Sequence, residues 1–384
     1  MKKNTVFSLA SLISFLMLSS SVHAGPRAHA LSDLHQNVLA ESSFVIDAGS
    51  SGTRLYEYDY NVSSGGGLPK IQNQIKHDSI AGGIQTVDIE DLETYLSNLF
   101  SQTDTTPDHI YFYSTAGMRT ISSTDRDEIN TAIKHWLVEH FPNTDIQVKT
   151  ISGQIEGAYA WLSANYINGS LKNDSQTYGI MKLGGASTQI TFESNSGDDL
   201  LNIDVGNRQY TLSSTSYLGL GQDLSITQYL NEPTCFPVGY DLPNGQKGTG
   251  DFLECAIKVE PLINGTHSIA STQEKPQRGL PFYAIGGYYY TSSKFEIDSD
   301  FSLSDLAEKG KDFCSNQWDE LEAGQTQYPV DSYLHSYCYN AAYQHTLLSK
   351  GYEFNDGEND ITMVKKLDGK KISWTLGPVL APKL

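Results

Sequence analysis

Positive charge is scarce in this chain of 384 residues: 26 lysines and arginines stand against 45 acids, a formal net charge of −19. Such a balance excludes nucleic acid and anionic membrane surfaces as partners, since both are held through clustered cations. Long hydrophobic runs are missing after Leu18, so no membrane anchor is expected; a spanning helix takes about 20 apolar residues. Cysteine is limited to four residues, Cys235, Cys255, Cys314 and Cys338. None of them shows the CxxC or Cys/His spacing of a zinc centre.

What is present begins with an address label. Lys2 and Lys3 precede the apolar stretch Val6 to Leu18, and Val22-His23-Ala24 offers a small-residue cleavage site. Residues 1–24 therefore read as a signal peptide, with a secreted or periplasmic chain starting near Gly25. An even cysteine count suits that compartment. Four cysteines allow three pairings; the sequential one, Cys235–Cys255 and Cys314–Cys338, is expected, each loop contributing about 3 kcal/mol in the chain-entropy picture. The length exceeds one comfortable core, so two domains are expected.

Hydrophobic patterning places elements along the chain. Residues 25–41 read as a polar lead-in. Helical spacing covers Asp91 to Leu99, Asp125 to His140 and Gln154 to Tyr166, the last with Ile155, Tyr159 and Leu162 on one face. Strands are expected at Ile110–Tyr113 and Tyr283–Ile285, and a helix from Ser332 to Lys350. Ser63-Ser64-Gly65-Gly66-Gly67 marks a hairpin tip. Residues 231–250 read as a surface insertion held by a cysteine pair, and Trp374-Thr375-Leu376-Gly377 as a segment that packs back on the first half.

Two glycine-serine segments stand out as copies of one device: Asp47-Ala48-Gly49-Ser50-Ser51-Gly52-Thr53-Arg54 and Lys182-Leu183-Gly184-Gly185-Ala186-Ser187-Thr188-Gln189. Each follows a strand-like run and leads into an alternating one, so each is a β-hairpin with a turn of small, donor-rich residues. Successive backbone N–H groups and hydroxyls in such a turn suit a phosphate. Two of them across a cleft would grip two parts of a polyphosphate. An acidic chain repels that substrate unless it arrives with divalent metal; the acidity equally keeps an exported protein soluble.

Five ordered segments carry a family resemblance. Ile46–Arg54, Ser114-Thr115-Ala116-Gly117-Met118-Arg119, Gly153-Gln154-Ile155-Glu156-Gly157-Ala158-Tyr159, Leu183–Gln189 and Phe282-Tyr283-Ala284 resemble the apyrase motifs of the nucleoside triphosphate diphosphohydrolases, bacterial exported type. That family is a branch of the actin–hexokinase–heat-shock ATPase superfamily, and the likeness runs from about residue 44 to the end. It implies an α/β fold of two actin-like (ribonuclease H-like) domains with a cleft between them: residues 25–165 with about 368–384, and residues 166–367 with the disulfide-held insertion. It implies hydrolysis of nucleoside tri- and diphosphates to monophosphate and orthophosphate, with Mg²⁺ or Ca²⁺, by a monomer.

The residues fit that chemistry. Glu156, at a helix start among glycines, is the candidate base that orients and deprotonates water, with Gln189 sharing the water. Arg54 and Arg119 supply fixed positive charge. Phosphate is expected at Ser50, Ser51, Gly52, Thr53 and Thr115 on one side and Gly184, Gly185, Ala186, Ser187 and Thr188 on the other. Asp47 would hold a divalent ion through water. The resemblance points to Tyr339, Tyr343, Trp374 and Asn165 for the nucleoside, with stacking that reads no base edge and so tolerates many bases.

One position departs from the family. Lys182 stands where an aspartate mirroring Asp47 is usual. At ~5 Å and an effective dielectric of ~20, ammonium and divalent ion repel by roughly 6 to 7 kcal/mol before screening. Metal-dependent turnover is therefore expected to be reduced, and a nucleotide-binding protein with impaired turnover is the alternative. An exopolyphosphatase of the same superfamily is a second alternative, although it needs neither export nor an aromatic clamp. A sugar kinase is a third; it would need an acceptor pocket and ATP outside the cell.

Overall fold

The computed structural model describes residues 38–173, 175–297, 301–325 and 330–384; the expected signal peptide lies outside them. Strand β1 (Val38–Ala48) starts inside the stretch read as a polar lead-in. Its opening residues are exposed, and Glu41-Ser42-Ser43 masked the alternation that would have revealed it.

Two sheets of six strands carry the fold. The first contains β1, β2 (Gly52–Ser63), β3 (Lys70–Lys76), β4 (Ile80–Ala81), β5 (His109–Ser114) and β6 (Asp145–Thr150). Its order is β3-β2-β1-β5-β6, with β4 on β2. The second contains β7 (Gly179–Leu183), β8 (Ser187–Glu193), β9 (Leu200–Val205), β10 (Arg208–Leu218), β11 (Phe282–Gly286) and β12 (Ile361–Met363), in the order β12-β11-β7-β8-β10-β9. The wiring is the same twice. An antiparallel hairpin (β1–β2, β7–β8) takes a third antiparallel strand on its second arm (β3, β10). Two parallel strands lie beyond its first arm (β5 and β6, β11 and β12). The duplicated turns thus head two copies of one α/β lobe.

Parallel neighbours require crossovers. In the first lobe these contain α1 (Leu92–Phe100), α2 (Ala116–Arg119) and α3 (Ser123–His140). Ser122 caps α3 by accepting from the Asp125 N–H at 3.1 Å. Helix α4 (Gly153–Ile167) links the lobes and is buried from Glu156 through Tyr166. A helix enclosed on every side has to be apolar on every side, which is why its expected one-sided face falls short.

Alternation along the central strands sorts side chains into layers. Phe44, Ile46 and Phe112 pack outward with Leu96 of α1 and Ile133 of α3. Val45, Tyr111 and Tyr113 point inward with Trp161 of α4, Ile180 of β7 and Trp374. Met181, Leu183 and Phe192 cover the second sheet's far face with Tyr288 and Tyr343. The C-terminal segment packs on the first half as expected: the Thr375 hydroxyl meets the Tyr58 hydroxyl at 2.7 Å.

Both disulfides follow the sequential pairing, Cys235–Cys255 and Cys314–Cys338. The first ties the 231–250 segment to the helix Phe252–Glu260. The helix expected over 332–350 divides into a short turn Leu334–Ser336, a helix Tyr337–Thr346 and a wide turn Leu347–Gly351. Among the described residues no helix is long and apolar enough to cross a membrane.

Candidate active site

The two turns have the same internal geometry. The Gly49 N–H donates to the Gly52 carbonyl at 3.1 Å, and the Gly184 N–H donates to the Ser187 carbonyl at 2.9 Å. Register sets Asp47 opposite Arg54 and Lys182 opposite Gln189. Among the described residues nothing accepts from the N–H groups of Ser50, Ser51, Gly185 or Ala186. The turns face each other: a Cβ added to Gly185 would stand 2.9 Å from the Ser50 hydroxyl oxygen. The space around them is a cleft of about 570 Å³, within the range of small-ligand sites.

Asp47, Ser50, Ser51, Arg54, Thr115, Glu156, Lys182, Gly184, Gly185, Ala186 and Ser187 all line that cleft. Strand parity explains the charged members. Asp47 follows Val45 by two residues and Lys182 follows Ile180 by two, and both apolar partners belong to the layer around α4. The two side chains therefore point to the same interlobe space, where α4 presents Glu156.

Glu156 sits in the first turn of α4, where the helix dipole favours an anion. Gly157 beside it has no room for a side chain, since a Cβ would meet the Thr191 hydroxyl at 2.4 Å. The carboxylate is 1% exposed and paired on both oxygens. Arg119 Nη2 donates to Oε2 at 2.9 Å, and Lys182 Nζ donates to Oε1. Burial pushes the carboxyl up; the charges of Lys182 and then Arg119 overcome it and hold the group below the ordinary glutamate range. Asp47 goes the other way. Burial raises it against Lys182 and Arg54, and Trp374 Nε1 donates to its Oδ1 at 3.1 Å.

Other expected site residues lie behind the cleft rather than on it. Arg119 is occupied by Glu156, the Ser187 hydroxyl at 3.1 Å and the Ile151 carbonyl at 2.9 Å, so it braces Glu156 and the second turn together. Gln189 Nε2 donates to the hydroxyls of Ser187 at 2.7 Å and Ser216 at 2.9 Å, while its buried Oε1 has no partner among the described residues. Gly52, Thr53 and Thr188 are enclosed; the Thr188 hydroxyl donates to the Lys182 carbonyl at 3.0 Å.

The four residues expected at the nucleoside do not line the cleft. Tyr339 and Tyr343 are 0% exposed and stack on each other at 5.5 Å inside the second lobe. Trp374 is buried against Tyr113 and Tyr159, and Asn165 is spent on the Trp161 and Tyr178 backbone. On a mostly buried helix, a tyrosine-rich sequence does not say which ring faces the opening. The rings that do line the cleft are Tyr290, Tyr333 and Tyr337, the first two each 49% exposed.

Sequence reasoning also missed Gln222, Asp223, Gly286 and Gly287. The Gln222 N–H donates to the Gly184 carbonyl and those of Asp223 and Leu224 to Gly185, which clamps the second turn from behind. The Ile285-Gly286-Gly287 run at a strand end was the available signal. Gly286 has φ 73° and lies where a Cβ would meet the Leu183 carbonyl at 2.2 Å.

A loop-held divalent ion does not suit this residue set. Hard cations draw oxygen ligands, whereas the hairpin position that mirrors Asp47 carries the ammonium of Lys182. Glu156 is already neutralised by two cations, and Lys182 brings positive charge to Asp47 as well.

Comparisons with known proteins show what the chain resembles. The GDA1/CD39 (nucleoside phosphatase) family profile matches residues 35–235 and 241–382. Ectonucleoside triphosphate diphosphohydrolase 1 of Mus musculus is 30% identical over 413 residues, covering 88% of this chain and 79% of its own. Probable apyrase 3 of Arabidopsis thaliana is 29% identical, covering 87% and 81%. Among solved structures, nucleoside triphosphate hydrolases from Neospora caninum share the fold, with a TM-score of 0.65 at 16% identity over 90% of this chain and 92% of that one.

Proposed function

The chain belongs to the GDA1/CD39 (nucleoside phosphatase) family, and from that premise we propose an exported hydrolase of nucleoside tri- and diphosphates that releases orthophosphate and ends at the monophosphate. The observation that carries the reading is that Glu156 lines one cleft with two facing turns, in which the amides of Ser50, Ser51, Gly185 and Ala186 have no partner among the described residues. A polyphosphate lying between the turns would accept from the N–H groups of Ser50, Ser51, Gly185 and Ala186 and from the hydroxyls of Ser51 and Ser187. Arg54 overhangs the first turn, its Nη1 donating to the Gly52 carbonyl at 3.1 Å, and contributes fixed positive charge to the leaving phosphate oxygens.

Glu156 aims a water at the terminal phosphorus and takes its proton as the P–O anhydride bond breaks. Gln189, from behind the cleft, holds the Ser187 hydroxyl through Nε2 and so steadies the second turn beside that water. Arg119 fixes the base in place. Divalent cations, which the family generally uses, enter with the nucleotide as Mg²⁺ or Ca²⁺ complexes. Tyr290, Tyr333 and Tyr337 form an aromatic flank for the base, and they favour a nucleotide over bare polyphosphate. Two disulfides support a secreted or periplasmic setting, and the protein is proposed to act as a monomer. Binding with little turnover is the second reading, favoured by the Lys182–Glu156 pair.

Orthophosphate release from ATP, ADP and tripolyphosphate by the native chain and by Glu156→Gln tests both readings. Native turnover of the nucleotides is expected, with kcat about 10²- to 10⁴-fold lower in the variant and ADP binding retained. Equal rates in the two proteins would remove Glu156 as base; tripolyphosphate as the preferred substrate would remove the nucleoside.

A further inference from the structure

Among the described residues Lys182 is the one cation that both lines the cleft and reaches Glu156. It occupies the position in the second hairpin that Asp47 occupies in the first: each lies two residues before the glycine that opens the turn, and each pairs across its hairpin with the residue two past the turn. A near-symmetric pair of lobes thus sets a carboxylate on one wall and an ammonium on the other. The ammonium lies over the second turn, with Nζ 3.7 Å from the Cβ position of Gly184.

We infer that Lys182 is a tethered counter-cation for the substrate, leaving Glu156 to pair with a phosphate oxygen when a polyphosphate arrives, so that nucleotide binds between the turns without metal. This rests on the reading of the cleft as a polyphosphate site. An ammonium carries three donors, and Glu156 is the one hydrogen-bonding partner of Nζ among the described residues. Trading a carboxylate oxygen for a phosphate oxygen keeps the charge paired throughout, which avoids the cost of an uncompensated buried ion. The four-carbon stem gives the reach, and the side chain is 20% exposed on the cleft side. The move also frees Oε1 of Glu156 while Arg119 still holds Oε2. In the free protein the base is masked; with substrate bound, one oxygen is open to the attacking water. The same displacement accounts for a family hydrolase having a cation at the base.

Calorimetric titration of the full chain with ADP and with a non-hydrolysable ATP analogue, in EDTA and in Mg²⁺, tests this. Native Kd values in the two conditions are expected to agree within about threefold. Lys182→Met should weaken binding in EDTA at least tenfold, a loss of about 1.4 kcal/mol. Lys182→Arg should retain it, and Lys182→Asp should bind only with Mg²⁺. Thermal melts confirm that each variant is folded, and a misfolded Lys182→Met leaves the decision to the native and Lys182→Asp titrations. Native binding that requires Mg²⁺, or Lys182→Met binding as tightly as native in EDTA, overturns the inference and leaves the hydrolase reading standing. A native chain that binds neither nucleotide in either condition overturns both.

Discussion

Glu156 illustrates how far a side chain's chemistry departs from its type. An isolated helix glutamate is a solvated surface residue; this one is enclosed and held between Lys182 and Arg119. Because its folded-state pKa lies below the ordinary value, the carboxylate persists to lower pH than a free glutamate, and the stability it contributes is lost only as pH falls through that lowered value. The acid limb of kcat/KM, which reports the free enzyme, is therefore expected below the usual glutamate range. Lys182→Met should move that limb upward, since burial would then be opposed by Arg119 alone. In the native enzyme the acid limb of kcat should lie above that of kcat/KM, because bound phosphate draws Lys182 away; pH–rate profiles from pH 4 to 8 check all three. That Glu156 and the two turns belong to one cleft was readable from small-residue spacing. The two partners of Glu156 were not, since Arg119 and Lys182 lie 37 and 26 residues away along the chain.

At the scale of elements, the hairpins work because the parts behind them leave no slack. Gly221 caps the short helix Gln222–Ser225 that clamps the second turn, and a Cβ there would meet the backbone of Ala186 and Gly185 at 2.3 Å. Gly221→Ala is expected to destabilise the chain by about 1 to 3 kcal/mol and to raise KM for ADP by displacing the turn; urea titration and initial rates measure the two effects. Gly185, where an added Cβ meets only the ends of Asp223 and Ser50 side chains, tolerates alanine better. The hairpins, α3 and both disulfide partners were legible locally, through alternation, helical spacing and chain proximity. The start of β1 was not, because its polar edge residues obey solvent exposure rather than strand parity. Nor was the enclosure of α4, which depends on what surrounds it on all sides.

For the molecule as a whole, the second lobe is stapled where the first is not, and one staple adjoins the aromatic side of the cleft. Cys338 directly follows Tyr337, a cleft residue. Each bond closes a loop worth about 3 kcal/mol in the chain-entropy picture. The double replacement Cys314→Ser/Cys338→Ser should therefore lower stability by about that amount and raise KM for ADP while leaving KM for tripolyphosphate unchanged, as denaturation and steady-state kinetics would reveal. An equal rise for both substrates would place the loosened helix in the phosphate site instead.

The amino-acid order alone determined the repeated turns, the family, the two-lobed α/β class and the cysteine pairing. All of these are written in short segments whose geometry is set by neighbours in the chain. Tertiary structure alone decided which tyrosines meet the cleft, that Trp374 supports Asp47, and that Lys182 grips Glu156. Those depend on side-chain direction and burial, which arise only when two sheets and one enclosed helix exclude water from the space they share.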